Sequence, residues 1–249
     1  MDFGFRRADR VVVHGEAVKR QVIEAVGVQA ARVHVIPHVG IGSMQSPSAS
    51  EDDGRTILFF GRIWDYKGLK YLIQAEPMIT QAVPDVRIVI AGNGDDFAPY
   101  RRMMTNADRF VVHNRFISRD ERERLFRQST IVALPYIEAT QSGVVPLAYS
   151  HAKPVVATNV GALSEAVEDG RTGLSVAPAD SRALAAAIIE LLRDPAHRRA
   201  MGDAARRKFD AEWSPAVVGR QLLEVYRRAI QDRQCASRSI AIEELAREM

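Results

Sequence analysis

The chain of 249 residues predicts a doubly wound α/β protein built on a parallel, Rossmann-like sheet. Three observations lead there. Apolar, β-branched runs alternate with longer segments of helical period, which is the pattern of repeated strand–helix–strand units. Most of these runs are short and apolar throughout, as buried strands are. Finally, the loop Gly61-Arg62-Ile63-Trp64-Asp65-Tyr66-Lys67-Gly68 follows one apolar run and precedes a helical pattern, where such sheets bind their ligands.

Taken in order, strands are predicted at Arg10–Val13, Val33–Pro37, Thr56–Phe60, Arg87–Ala91, Phe110–His113, Ile131–Leu134, Pro154–Ala157 and Leu174–Val176. Helices are predicted at Glu16–Val26 and Leu69–Val83, with Pro77 expected to kink or shorten the second. Ser118, followed three residues later by Glu121, forms a capping box for a helix over Arg119–Gln128. In Arg182–Arg193 the residues Leu184, Ala187, Ile188 and Leu191 recur at helical spacing, so that helix should pack on the sheet. Residues 40–54 are rich in Gly, Ser, Pro, Asp and Glu without apolar period and read as a linker. The one strand, helix and strand of residues 1–39 look too few to bury a core. They read as the end of a domain otherwise missing, whereas residues 55–212 make a complete unit.

With 34 basic and 31 acidic side chains the formal charge is only +3, which does not indicate dedicated nucleic-acid binding. Cys235 is the sole cysteine and cannot form an internal disulfide. Arg6, Arg7, Asp9 and Arg10 stand where a signal peptide needs an apolar core, and no charge-free run approaches bilayer-spanning length. The expected location is cytoplasmic.

Two loops carry chemistry. In the first, Arg62 can grip two phosphate oxygens in a fork and Lys67 adds a compact point charge beside a helix start, which suits a phosphate or diphosphate; a solvated basic loop is the plain alternative. The second runs from Pro135 through Tyr136, Ile137, Glu138, Ala139, Thr140, Gln141, Ser142, Gly143 and Val144 into an apolar helix. Small residues there let the backbone N–H groups of Ser142, Gly143 and Val144 approach a phosphate, while Glu138 is placed to accept hydroxyl hydrogen bonds from a sugar. Ser142 capping its helix and Glu138 as a solvated acid form the competing reading. Trp64 either covers a ligand or packs. Arg206, Arg207 and Lys208 read as a solvated helical face, with peripheral contact to anionic lipid as the other use.

Taken together, Gly61-Arg62 to Lys67-Gly68, Ile90-Ala91-Gly92-Asn93-Gly94, Pro135 to Val144, Ala152-Lys153-Pro154-Val155-Val156-Ala157-Thr158, Val160-Gly161 with Glu165, and Asp169-Gly170 with Thr172-Gly173 resemble the carboxy-terminal half of a family-four glycosyltransferase. The resemblance spans about residues 8 to 231. It implies a GT-B architecture, two facing Rossmann-like domains of which this chain holds the donor-binding one, and a retaining transfer without metal or cofactor. The donor substrate is then a nucleoside-diphosphate sugar. By position, Arg62 and Lys67 would hold its diphosphate, Glu138 would match the first acid of the family's acidic pair and face the donor sugar, and Gly61, Gln141, Ser142, Gly143 and Val144 would complete the donor site. Gly92 and the turn at Phe116 and Ile117 would border the base. Residues 213–231 resemble the closing helix, leaving 232–249 as a tail.

The chain departs from the family in two places. The second acid, which usually meets the ribose, aligns near Leu147, and the amino-terminal acceptor domain is largely missing. Two readings therefore stand: a sugar transferase component completed by an acceptor domain, or a truncated or split binding module without activity of its own. Docking to an acceptor-domain partner or self-association is expected from the exposed apolar strands. An epimerase of the same two-domain shape fits the loop from Glu138 to Val144 less well.

Overall fold

The computed structural model describes residues 2–40, 51–94 and 96–248. Residues 41–50, most of the predicted linker, lie outside the described residues. In chain order the elements are α1 (Asp2–Arg7), β1 (Val11–Val13), α2 (Glu16–Val26), β2 (Val33–Val35), β3 (Thr56–Phe60), α3 (Leu69–Ala82), β4 (Arg87–Gly92), α4 (Ala98–Met103) and β5 (Phe110–Asn114). There follow α5 (Arg119–Gln128), β6 (Ile131–Leu134), α6 (Val144–Ser150), β7 (Val155–Thr158), α7 (Leu163–Ala166), β8 (Gly173–Val176), α8 (Ser181–Arg193), α9 (Pro195–Lys208) and α10 (Pro215–Glu248). The chain forms two compact units, Val39–Ser214 and the rest.

In the larger unit six strands make one sheet in the order β5-β4-β3-β6-β7-β8, every neighbouring pair parallel. The chain starts at the centre with β3, steps outward through β4 and β5, returns to β6 on the other side of β3, and steps outward again. This is the doubly wound Rossmann order, and its switch point lies between β3 and β6. Alternate residues of each strand face opposite layers. Ile57, Phe59, Ile88, Ile90, Ile131 and Val156 lie in a core with Leu72, Ile79, Leu184 and Ile188 of α3 and α8. Leu58, Val89, Val132, Leu134, Val155 and Ala157 lie in a second core with Phe126, Tyr149, Phe209 and Trp213. Burial on both faces is why the strands read as unbroken apolar runs.

The local signals act with some adjustment. Ser118 Oγ accepts from Glu121 N–H at 3.3 Å, but the Glu121 carboxylate turns to Arg115 at 2.6 and 2.7 Å instead of closing the capping box. α3 runs through Pro77 to Ala82, one residue short of its predicted end. Its Leu72, Ile73, Ala75 and Ile79 are fully buried, and that packing outweighs one missing helical hydrogen bond. Near the end of the predicted linker the carboxylates of Asp52 and Asp53 accept from Gly54 N–H, Thr56 N–H and the Thr130 hydroxyl, fastening the entry to β3. Of the basic run in α9, Arg206 pairs with Asp210 at 2.9 Å and Lys208 with Glu168 at 2.5 Å, so two of its three cations are spent within the fold.

In the smaller unit β1 and β2 pair in parallel across α2. Val11, Val13, Val26, Val28 and Val33 are each at most 6% exposed, so this piece buries a small core after all. α1, which the sequence reading did not include, supplies Phe5 to its edge. Arg233 pairs with Asp9 at 2.8 Å and Arg10 pairs with Asp232, tying α10 to β1 and its approach. The helix continues to Glu248, past residue 231 and through the predicted tail, because after Gly219 the sequence offers neither Gly nor Pro to stop it. On it Leu223, Tyr226 and Ile230 are 55%, 60% and 56% exposed. Trp213 is buried and stacks on Tyr149 at 5.3 Å in the larger unit. Among the described residues no helix is long and apolar enough to cross a membrane.

Ile188 lies fully buried between α8, α3 and the sheet. Ile188→Ala should lower the unfolding free energy of the larger unit by about 3 kcal/mol, read as a drop in urea midpoint at unchanged slope.

Candidate active site

The loops leaving the carboxyl ends of β3 and β6 meet at the switch point. Ile137 N–H donates to Tyr66 O at 2.8 Å, locking the second loop to the first. Gly68 sits so close to Pro135 that a Cβ would fall 1.8 Å from the Pro135 carbonyl oxygen, and its φ of +64° already favours glycine. On the other side Gly61 N–H donates to Ala91 O and Ile63 N–H to Asn93 O, both at 3.0 Å. Gly92, with φ of +152°, leaves no room for a Cβ beside Gly61 O. Gly94 N–H in turn donates to Asn114 Oδ1 at 3.0 Å. Successive loops are thus joined edge to edge by backbone bonds.

This scaffold sets the cations. Lys67 lies half-buried with its Nζ 3.7 Å from the centre of the Tyr136 ring and 5.0 Å from that of Tyr66. Burial, with the neighbouring Arg62 charge adding to it, pulls its pKa down to about 8. The aromatic faces compensate the charge only in part. Arg62 is exposed, its guanidinium 4.6 Å from the centre of the Trp64 ring. α3 begins immediately after Gly68 without a side-chain cap, so its positive end adds to the same field.

On the second loop, Glu138 is exposed and has no hydrogen-bond or ion-pair partner among the described residues. With Tyr66, Ala139, Gln141, Val160 and Gly161 it lines an open cavity of about 610 Å³. Ser142 Oγ accepts from Val144 N–H at 3.3 Å and lies 3.4 Å from the Tyr136 hydroxyl. Of the three backbone donors expected around Gly143, one is therefore turned toward Ser142, while Gly143 starts α6 without a side-chain cap. Leu147 is buried on the core side of α6. Phe116, on the loop after β5, is 82% exposed.

Arg62, Lys67, Glu138, Gln141 and Ser142 thus come from two loops that share a backbone hydrogen bond. The tyrosines that cradle Lys67, Tyr66 and Tyr136, stand in the two predicted loops, where the sequence gives them no role. Their signal was the position of Tyr136 directly after β6 and of Tyr66 directly before Lys67, but which ring faces the ammonium depends on the loop crossing.

A doubly wound parallel sheet whose loops meet at its switch point is a Rossmann-like domain, and its structural neighbours are GT-B proteins. Residues 54–194 match the family described as glycosyl transferases group 1, and the chain belongs to it. It is 32% identical over 257 residues to D-inositol 3-phosphate glycosyltransferase of Kineococcus radiotolerans, covering 91% of this chain and 58% of that protein. It is 31% identical over 222 residues to phosphatidyl-myo-inositol mannosyltransferase of Mycobacterium leprae, covering 85% and 57%. The chain therefore spans somewhat more than half the length of these relatives. Among solved structures, sucrose-phosphate synthase of Thermosynechococcus elongatus superposes with a TM-score of 0.81 at 23% identity, covering 93% of this chain and 61% of the other. The Anabaena protein Alr3699/HepE, solved with UDP and glucose, gives 0.75 at 21% identity, covering 90% and 65%.

Gly68→Ala tests how tightly the two loops are joined. The added methyl must push the Pro135 carbonyl away and adopt a strained backbone, so unfolding free energy should drop by about 2 kcal/mol or more. Hydrogen exchange at Ile137 N–H should rise with it.

Proposed function

We propose that this chain is the donor-binding, carboxy-terminal part of a retaining, metal-independent GT-B glycosyltransferase that uses a nucleoside-diphosphate sugar. The observation that carries the reading is the meeting of the Arg62–Lys67 loop with the Glu138–Val144 loop at the switch point, held by the Ile137 N–H to Tyr66 O bond. In this reading the diphosphate lies against Arg62, Lys67, Gly61 and the start of α3. When the bond from the sugar's anomeric carbon to the diphosphate oxygen breaks, negative charge grows on the leaving group, and the two cations stabilise it there. The same charge compensates Lys67, which the free protein leaves short of partners. Glu138 faces the sugar, whose hydroxyls donate hydrogen bonds to its carboxylate, and Gln141, Ser142, Gly143 and Val144 border the diphosphate. With Leu147 turned into the core, the ribose is held by groups other than a side chain at that position.

The relatives' names support sugar transfer, and the UDP bound by the Anabaena neighbour supports a nucleotide as ligand. Because the chain covers 58% and 57% of the relatives' lengths, we assign the acceptor site to a further domain or partner rather than to these residues. A binding module without turnover of its own is the second reading, favoured by that same coverage. Supplying an acceptor domain in trans and assaying sugar transfer separates the two.

Isothermal titration with a panel of nucleoside diphosphates should give saturable binding that Arg62→Ala and Lys67→Ala each weaken by on the order of 2 kcal/mol, about thirtyfold. Unchanged affinity in both variants removes the diphosphate assignment.

Lys67 is cationic below its pKa of about 8 and neutral above it. Diphosphate affinity should therefore fall as pH rises through 8, and Lys67→Arg should flatten that profile because its charge persists. A pH-independent wild type would show that Lys67 does not meet the anion.

Glu138→Gln keeps the shape of the side chain and removes its charge. Nucleoside-diphosphate affinity should stay near wild type while transfer by the completed enzyme drops by about a hundredfold or more. Full transfer activity in this variant would sink the role given to Glu138.

A further inference from the structure

A second cavity, about 530 Å³, opens at the opposite edge of the main sheet, beneath the amino ends of β3, β6 and β7. Four cationic side chains, Arg127, Lys153, Arg198 and Arg199, line it against the carboxylates of Asp52, Asp53 and Asp203, with His151 at its wall. The two linker acids are already engaged. Asp53 accepts from the N–H groups of Arg55 and Thr56 and from the Thr56 hydroxyl, and Asp52 accepts from Gly54 N–H and the Thr130 hydroxyl.

Arg198 and Lys153 are held in place by backbone carbonyls, and Arg127 and Lys153 lie within ion-pair reach of Glu51 and Asp52. Arg198 is 7% exposed; its Nη1 donates to Leu191 O at 3.0 Å and Leu192 O at 3.2 Å, closing the end of α8. The rest of its fork, Nε and Nη2, has no acceptor among the described residues. Arg127 Nε is buried without a hydrogen bond, 3.5 Å from Glu51 Oε1. Lys153 is 4% exposed, its Nζ donating to Arg127 O at 3.0 Å and lying 4.0 Å from Asp52 Oδ2. Burial pulls the Lys153 pKa down to about 8, with Asp52 resisting and Arg198 adding to the fall. Unused guanidinium donors inside a cavity are costly unless an acceptor enters, and planar forks match phosphate oxygens.

We propose that this cavity is a second binding site of the domain, taking a small phosphate-bearing molecule on Arg198, Arg127 and Lys153. It is distinct from the donor site, which occupies the carboxyl edge of the same sheet. Its volume exceeds that of a bare phosphate ion, leaving room for the organic part of a phosphorylated metabolite. Occupation would brace the entry to β3, where Asp52 and Asp53 fasten the chain.

The test is isothermal titration of the full chain carrying Arg62→Ala and Lys67→Ala, which silences the carboxyl edge, with inorganic phosphate, glucose 6-phosphate and glucose. Phosphate and glucose 6-phosphate should bind saturably with a dissociation constant of about 1 mM or tighter, and glucose should not. Tighter binding of glucose 6-phosphate than of phosphate assigns the site to a phosphorylated metabolite, and equal binding assigns it to inorganic phosphate. Adding Arg198→Gln should weaken binding at least tenfold. Arg127 is partly exposed, so Arg127→Gln provides a second variant that keeps the fold and should lose several-fold. Absence of saturable binding, equal binding of glucose, or affinities that neither substitution moves would overturn the proposal.

Discussion

The hydrogen bond from Ile137 N–H to Tyr66 O, 2.8 Å long, sets the distance between the two loops that leave the centre of the sheet. β3 and β6 are neighbours in space although 70 residues of chain intervene, and their helices depart in opposite directions, so contacts between the loops themselves must hold them together. Gly68 against Pro135 brings the backbones into contact, and Gly92 does the same between β3 and β4. Without that contact Arg62 and Lys67 would lie on a solvated loop of no special character. With it their loop is joined to the one that carries Glu138, and Lys67 rests on two tyrosine rings.

Two lysines have their pKa pulled to about 8, at opposite edges of one sheet and for the same reason. Each is buried faster than it is compensated. At Lys67 the neighbouring charge is Arg62, and at Lys153 the acids Asp52 and Asp53 oppose burial while Arg198 reinforces it. In both cases the unfolded chain holds the proton more tightly than the folded one. The resulting cost to stability is present below about pH 8 and is lifted as pH rises toward the ordinary lysine range. An anion bound at either edge would remove part of that cost.

The smaller unit obeys a different balance. Five valines and α2 give it a core of its own, but the core is small, and Leu223, Tyr226 and Ile230 remain exposed on α10. Ion pairs from Asp9 and Arg10 to residues of α10 hold the helix to the strands, and exposed pairs of this kind contribute little.

The sequence by itself determined the elements of the sheet. Thr56–Phe60 and Ile131–Leu134 are strands within their predicted bounds, and Glu16–Val26 and Arg119–Gln128 are helices within theirs, because burial on both sheet faces and helical spacing leave local marks in the residue pattern. The positions of Arg62, Lys67 and Glu138 on two strand-to-helix loops were legible for the same reason. Only the tertiary structure decided that those loops touch, that Tyr66 and Tyr136 carry the Lys67 ammonium, and that Glu121 serves Arg115 rather than its own helix. It also decided that Lys153, which in sequence merely precedes a strand, ends in a charged cavity with Arg198, 45 positions away in the chain. Periodicity reports which face of an element is buried, whereas strand order and loop crossings decide which side chains meet, and those depend on contacts between residues far apart in the chain.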